Sequence, residues 1–233
     1  QKNIYYTHET DLFCFASEIS ALTTACSIPK IADLLALQTA LGIGYIPGRR
    51  TLFSHIRKLA PGEMLIRKNR STSLQSYITN PFCLNTLSPR EAIQQTIREH
   101  LASKHRIALN LSGGLDSSII LHEMSLAHGN IHSYTTRFDT TQATINEDSD
   151  LARRLSVEYG TNHTEIYIDS KTYLENMISA YEIIEEPNYN ISAPTYLAVA
   201  EHEGIHGDMN RVVLSGDGGD EVFGGYPSYR QSL

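Results

Sequence analysis

The sequence predicts an α/β protein built on a parallel sheet with helices on both faces. Three observations predict it. From Ser88 onward, short apolar runs alternate with segments of helical periodicity. The apolar run "RIALNL" (106–111) passes directly into "SGGLDSS" (112–118), a glycine loop that opens a helix. A second apolar run, 211–214, enters another glycine loop, "SGDGGDEVFGGY" (215–226). Alternating strands and helices imply βαβ units, and those require a sheet buried on both sides.

The elements follow in chain order. Before residue 80 the rhythm is different. Residues 4–6 and 12–16 have strand character. Pro29, followed by Ile31, Leu34, Leu35, Leu37 and Leu41, predicts a short amphipathic helix stopped at Gly42. Pro61-Gly62 suits a type II turn feeding a strand that ends near Lys68. Residues 69–76 are polar, and "TNPFCLNTLS" (79–88) has the composition of a linker. Ser88-Pro89-Arg90-Glu91 is a capping box with proline at the first helical position, and Ala92, Ile93, Ile97 and Leu101 then share a face. Beyond the 106–111 strand and its glycine loop, a helix runs to about residue 128. The expected order is then strand 131–138, helix 147–160, strand 163–168, helices 171–184 and 194–203, and strand 211–214. The division is 1–80 and 86–233.

Composition narrows the function. With 41% hydrophobic and 19% charged residues, the chain can bury a core. A formal charge of −7 with no Lys/Arg stripe argues against nucleic acid or a membrane surface as a partner. No apolar run reaches spanning length. Three cysteines, Cys14, Cys26 and Cys83, lack metal-type spacing, so the expectation is reduced thiols in a cytoplasmic protein. Both ends of the sequence fall inside structural elements, which leads us to expect a piece of a longer polypeptide.

The glycine loops carry the chemistry. Ligands of open parallel sheets bind beyond the carboxyl ends of the strands. Glycines let the backbone approach a ligand closely, and the free N–H groups of the following helix favour phosphate. A carboxylate in such a place is repulsive unless a cation intervenes, so Asp116 points to Mg²⁺. No lysine closes the loop as in GxxxxGK[ST], and GxGxxG is absent. A glycine turn with a solvated aspartate is the bland alternative. The second loop, with Asp217 and Asp220 three residues apart, weakens it.

The two loops together resemble those of the asparagine synthetase family within the ATP-pyrophosphatase (PP-loop) superfamily. "NEDSDLARRLSVEYGTNHTEI" (146–166), "EEPNYNISAPTYLAVAE" (185–201), "FASEISAL" (15–22) and "PGRRTLFSHIRKLAPGEML" (47–65) extend the likeness over nearly the whole chain. The resemblance implies an adenine nucleotide alpha hydrolase-like synthetase domain. It would be preceded by the C-terminal part of an N-terminal-nucleophile glutaminase domain. It implies ATP and Mg²⁺ as cofactors, with aspartate and glutamine or ammonia as substrates. Ser112, Gly113, Gly114, Asp116, Ser117 and Ser118 would hold pyrophosphate; Leu111, Thr136, Ser215 and Gly216 would line the nucleotide. Asp116 and Asp220 would be the metal ligands. Asp217 would be catalytic, managing protons on incoming ammonia where many members carry Glu. The glutaminase cysteine and a synthetase lysine match nothing here and are expected outside 1–233, so the chain alone is expected to be inactive. A homodimer is the candidate assembly. Related amide-forming cyclases, β-lactam synthetases, sugar-acid amidotransferases and a non-catalytic nucleotide-binding remnant remain open alternatives.

Overall fold

In a computed structural model, the residues described are 3–8, 12–78, 87–102, 105–127, 129–140, 142–187, 190–206 and 212–230. Most of the expected linker, Cys83 and Tyr189 lie outside them. The chain forms two compact units: residues 1–85 with 178–191, and residues 86–177 with 192–233. The 178–191 stretch is therefore grouped with the first unit.

In the first unit, β1 (Tyr5–His8) lies antiparallel between β2 (Phe13–Ala16) and β3 (Arg57–Lys58). Tyr5 is buried beneath this sheet with Ile19, Leu22, Ile28 and Ile56. Ile19 and Leu22 belong to α1 (Ile19–Ala25), a helix absent from the sequence reading. Its N-cap residue, Glu18, makes no side-chain cap. The cap comes instead from Glu185, whose carboxylate accepts from the Ile19 N–H and, at 2.7 Å, from the Ser20 N–H. A cap supplied from 165 residues away leaves no local signature. Glu186 accepts from Lys58 Nζ at 2.6 Å. Both acids are thus engaged within the first unit.

The cysteine expectation is overturned. Cys14, on β2, and Cys26, at the end of α1, form a disulfide with a Cα–Cα distance of 6.9 Å. Packing α1 on β2 brings the two together, a closeness that a sequence separation of 12 does not reveal.

Helix α2 (Leu34–Ile43) starts at Asp33, whose carboxylate accepts from Ala36 N at 3.1 Å, and ends at Gly44, φ 88°. Gly42 lies within the helix rather than stopping it. The inward stripe is Ala36 and Ala40, packed with Ile46, whereas Leu34 and Leu41 are 74% and 68% exposed. Two small residues spaced i, i+4 let the helix approach closely, and the leucines occupy the outer face. Strand β4 (Glu63–Lys68) follows a turn closed by Glu63 N–H to Ala60 O. It pairs with β5 (Ser71–Ser76), a hairpin turning at Asn69 and Arg70 with φ 49° and 68°. The polarity of β5 concealed it as a strand.

The second unit carries the expected parallel sheet. Helix α3 (Pro89–Leu101) has the full capping box. The strands are β6 (Ile107–Asn110), β7 (His132–Phe138), β8 (Asn162–Ile168) and β9 (Val212–Leu214), in the order β8-β7-β6-β9, all parallel. Alternate residues of β6 face opposite sides. Leu109 is buried with Ile97 and Leu101 of α3, with Leu121 and Met124 of α4 (Leu115–Ala127), and with Ala152 of α5 (Glu147–Glu158). Ala108 is buried on the other side with Tyr134 and with Val199 of α7 (Ala193–His206). Helices thus cover both faces. Helix α6 (Ser170–Ile184) follows β8, and α8 (Gly219–Phe223) and α9 (Pro227–Arg230) follow β9. No helix among the described residues is long and apolar enough to cross a membrane.

Candidate active site at the meeting of two glycine loops

The strand order makes the site. From β6 the chain adds β7 and β8 on one side, then returns to place β9 on the other side of β6. The direction of growth reverses between β6 and β9, where a crevice opens beyond the carboxyl ends. Both glycine loops leave the sheet there.

The first loop is internally braced. The Ser112 and Ser117 hydroxyls lie 3.0 Å apart, Gly114 N–H donates to Ser112 Oγ at 3.3 Å, and Ser117 and Ser118 donate to Gly114 O at 3.1 and 2.7 Å. Ser117 is buried, so its hydroxyl shapes the loop rather than facing solvent. Gly113 sits at φ 86°, and a Cβ there would fall well inside contact distance of the Asp148 carbonyl oxygen in α5. Glycine is required on both counts. Leu111 belongs to the buried core, with its N–H bound to Tyr134 O at 2.8 Å, so only its backbone can face a ligand. Thr136 is half-buried on β7, paired with Ile166.

The second loop closes against the first. A Cβ on Gly216 would stand 2.9 Å from Asp116 Cβ and 3.0 Å from Ser117 N. One on Gly219 would stand 2.5 Å from Asp116 Cγ and 2.6 and 2.9 Å from its carboxylate oxygens. Asp116, in the first turn of α4, is therefore seated between two glycines of the opposite loop. Its carboxyl is held above the usual aspartate range, by burial first and then by the charges of Asp220 and Glu221. Asp220 packs against Gly225 and opens α8, whose ends turn through Gly218 and Gly224 at φ 90° and 70°. Glu221 accepts from Tyr226 OH at 3.0 Å.

Asp217 is engaged differently. Ser215 Oγ donates to its Oδ2 at 2.8 Å, and the Tyr196 hydroxyl of α7 lies 2.7 and 2.8 Å from its two oxygens. Tyr196 lies 21 positions from Asp217 in sequence, and no local pattern links them. A groove of about 740 Å³ opens beside the loops, lined by Ile93, Ile119, Val222 and Phe223 together with Asp116 and Asp217.

The donor chemistry suits a hard cation. Asp116 and Asp220 offer carboxylate oxygens, and Asp116, raised by burial first, also feels the charges of Asp220 and Glu221 that a divalent ion would offset. No group of three His, Cys, Asp or Glu side chains among the described residues could hold a metal.

Known proteins match the chain along its length. Residues 1–78 match the family model for a glutamine amidotransferase domain. The chain is 29% identical over 240 residues to asparagine synthetase [glutamine-hydrolyzing] 1 of Bacillus subtilis, covering 100% of this chain and 37% of that protein. It is 27% identical over 244 residues to a putative asparagine synthetase of Methanocaldococcus jannaschii, covering 98% and 45%. The chain thus spans less than half the length of these relatives. A solved structure, an NH3-dependent NAD synthetase from Campylobacter jejuni, aligns with 59% of this chain and 58% of its own at 19% identity and a TM-score of 0.38. The family model for asparagine synthase matches residues 89–233, from α3 through both glycine loops, and the chain belongs to that family.

Proposed function

We propose that the second unit is the nucleotide-binding part of an ATP-dependent, amide-forming ligase that makes asparagine from aspartate and glutamine-derived ammonia. One observation carries the reading. The Asp116 carboxylate is seated between Gly216 and Gly219, so two loops built for close approach to a ligand converge on a single acid.

In this reading the Ser112–Ser118 loop and the α4 N-terminus receive the pyrophosphate end of ATP through backbone N–H groups and the Ser112 and Ser118 hydroxyls. Ser215, Gly216, Thr136 and the Leu111 backbone border the nucleotide. Asp116 and Asp220 would hold Mg²⁺, which when bound neutralises charge on the phosphates. The acceptor carboxylate oxygen bonds to the α-phosphorus, and the bond from that phosphorus to the β-phosphate bridging oxygen breaks, releasing pyrophosphate. Ammonia then forms the C–N bond, AMP leaves with the acceptor oxygen, and Asp217 takes the proton that nitrogen loses. The loops contribute mainly positioning and electrostatic stabilisation.

The test follows the oxygen. With the intact protein, Mg-ATP, ammonia and aspartate labelled with ¹⁸O in its side-chain carboxylate, AMP should acquire one labelled oxygen for each amide formed. Unlabelled AMP, or amide formation with release of ADP, would refute the adenylate. Label transfer from another acid but not from aspartate would keep the reaction and replace the substrate.

A further inference from the structure

We propose that Tyr196 is a positioning residue that fixes the orientation of the Asp217 carboxylate in the site. The inference rests on the adenylation reading above and adds a residue to its second step.

The geometry begins with α7. Ala198 and Val199 are buried, Val199 against Ala108 and Tyr134 of the sheet, so the helix is anchored to β6 and β7. Its first turn is closed by Thr195 N–H and Tyr196 N–H to Ser192 O at 3.0 and 3.1 Å. Tyr196 extends from that anchored turn to the loop after β9. Its hydroxyl lies at nearly equal distance from both Asp217 oxygens, 2.7 and 2.8 Å. The phenol carries a single proton, which is shared across the carboxylate. Ser215 supplies a second donor to Oδ2 alone. The carboxylate plane is thus fixed by two donors from two elements, while Oδ1 keeps a free lone pair.

The kind of donor matters as much as the geometry. Both are neutral hydroxyls, and no Lys, Arg or His among the described residues forms a salt bridge with Asp217. The phenol remains a donor because burial, then the hydrogen bond to Asp217 and its charge, raise it far above the ordinary tyrosine range. A tyrosine reaching in from α7 meets an aspartate at hydrogen-bond distance.

The test is Tyr196→Phe in the intact protein, following pyrophosphate and amide together. Amide formed per pyrophosphate released should fall roughly tenfold, the loss of one charge-assisted hydrogen bond. Introduced into an Asp217→Asn background, the same change should have almost no further effect, because the two residues act as a unit. Full additivity in that background would overturn the inference. So would an unchanged amide-to-pyrophosphate ratio, including a parallel fall of both products with a lowered melting temperature, which marks a purely structural tyrosine. Absence of pyrophosphate release from the unsubstituted protein would refute the adenylation reading itself, and this inference with it.

Discussion

Gly219→Ala is a perturbation that reaches Asp116 without altering it. The new Cβ would lie 2.5 Å from Asp116 Cγ and 2.6 Å from Oδ2. Ordinary contact begins near 3.4 Å, so the carboxylate must retreat by about 0.9 Å, the difference between 3.4 and 2.5 Å. Asp116 has little room for that, because Gly216 already closes on its Cβ. The backbone itself should accept the change. Position 219 opens α8 without the left-handed φ of Gly218, and alanine is the better helix former by about 1 kcal/mol. Stability should therefore hold while geometry fails. A misplacement near 1 Å can cost roughly 10²-fold in rate. The assay is ATP-dependent pyrophosphate release by the intact protein, with thermal unfolding measured alongside. A Gly219→Ala protein that releases pyrophosphate at the unsubstituted rate would refute the reasoning, since Asp116 would then not need the position in which the structure holds it.

Two further predictions concern stability. Gly113→Ala combines a left-handed φ with a clash against the Asp148 carbonyl, which is backbone and cannot swing away; urea unfolding should show a loss of about 2–4 kcal/mol. Asp33→Ala removes the α2 cap and the partner of Arg50, a pair 2.7 Å apart, and should cost about 1–2 kcal/mol at neutral pH. The cost should depend on pH. Burial acts to raise the Asp33 carboxyl, but the Ala36 N–H and Arg50 outweigh it and hold it below the ordinary 3.8. A lowered carboxylate stabilises the fold above that value, and its contribution is lost as pH falls through the lowered one. The gap between Asp33→Ala and the unsubstituted protein should therefore close in acid, and a constant gap would contradict the assignment.

The parallel sheet was legible because each of its signals is local. The Ser88–Glu91 capping box, the apolar runs and the glycine loops each occupy a few adjacent residues, and they fall on α3, β6 to β9 and the loops between them. The first unit was less legible because its determinants are distant or polar. Helix α1 is capped by Glu185, β5 is a polar strand of a hairpin, and α2 buries alanines rather than leucines. The same holds at the candidate site. Asp116, Asp217 and Asp220 stand in recognisable loops, whereas Tyr196 joins Asp217 only through the placement of α7 on the sheet. The Cys14–Cys26 disulfide was missed for the same reason, since packing of α1 on β2 makes the pair.

The central claim is that Asp116 serves the phosphate end of ATP, and one substitution tests it most directly. In Asp116→Asn the side chain keeps its size and loses one negative charge, so the seat between Gly216 and Gly219 is preserved while the affinity for a hard cation falls. Pyrophosphate and glutamate release should be measured on the same preparation of the intact protein, with circular dichroism confirming the fold. The account predicts a loss of roughly 10²–10³ in pyrophosphate release, the scale set by removing one electrostatic stabiliser of a leaving group, with glutamate release retained. Pyrophosphate release near the unsubstituted rate would contradict it, and loss of both activities together with the fold would make Asp116 a structural residue of its loop.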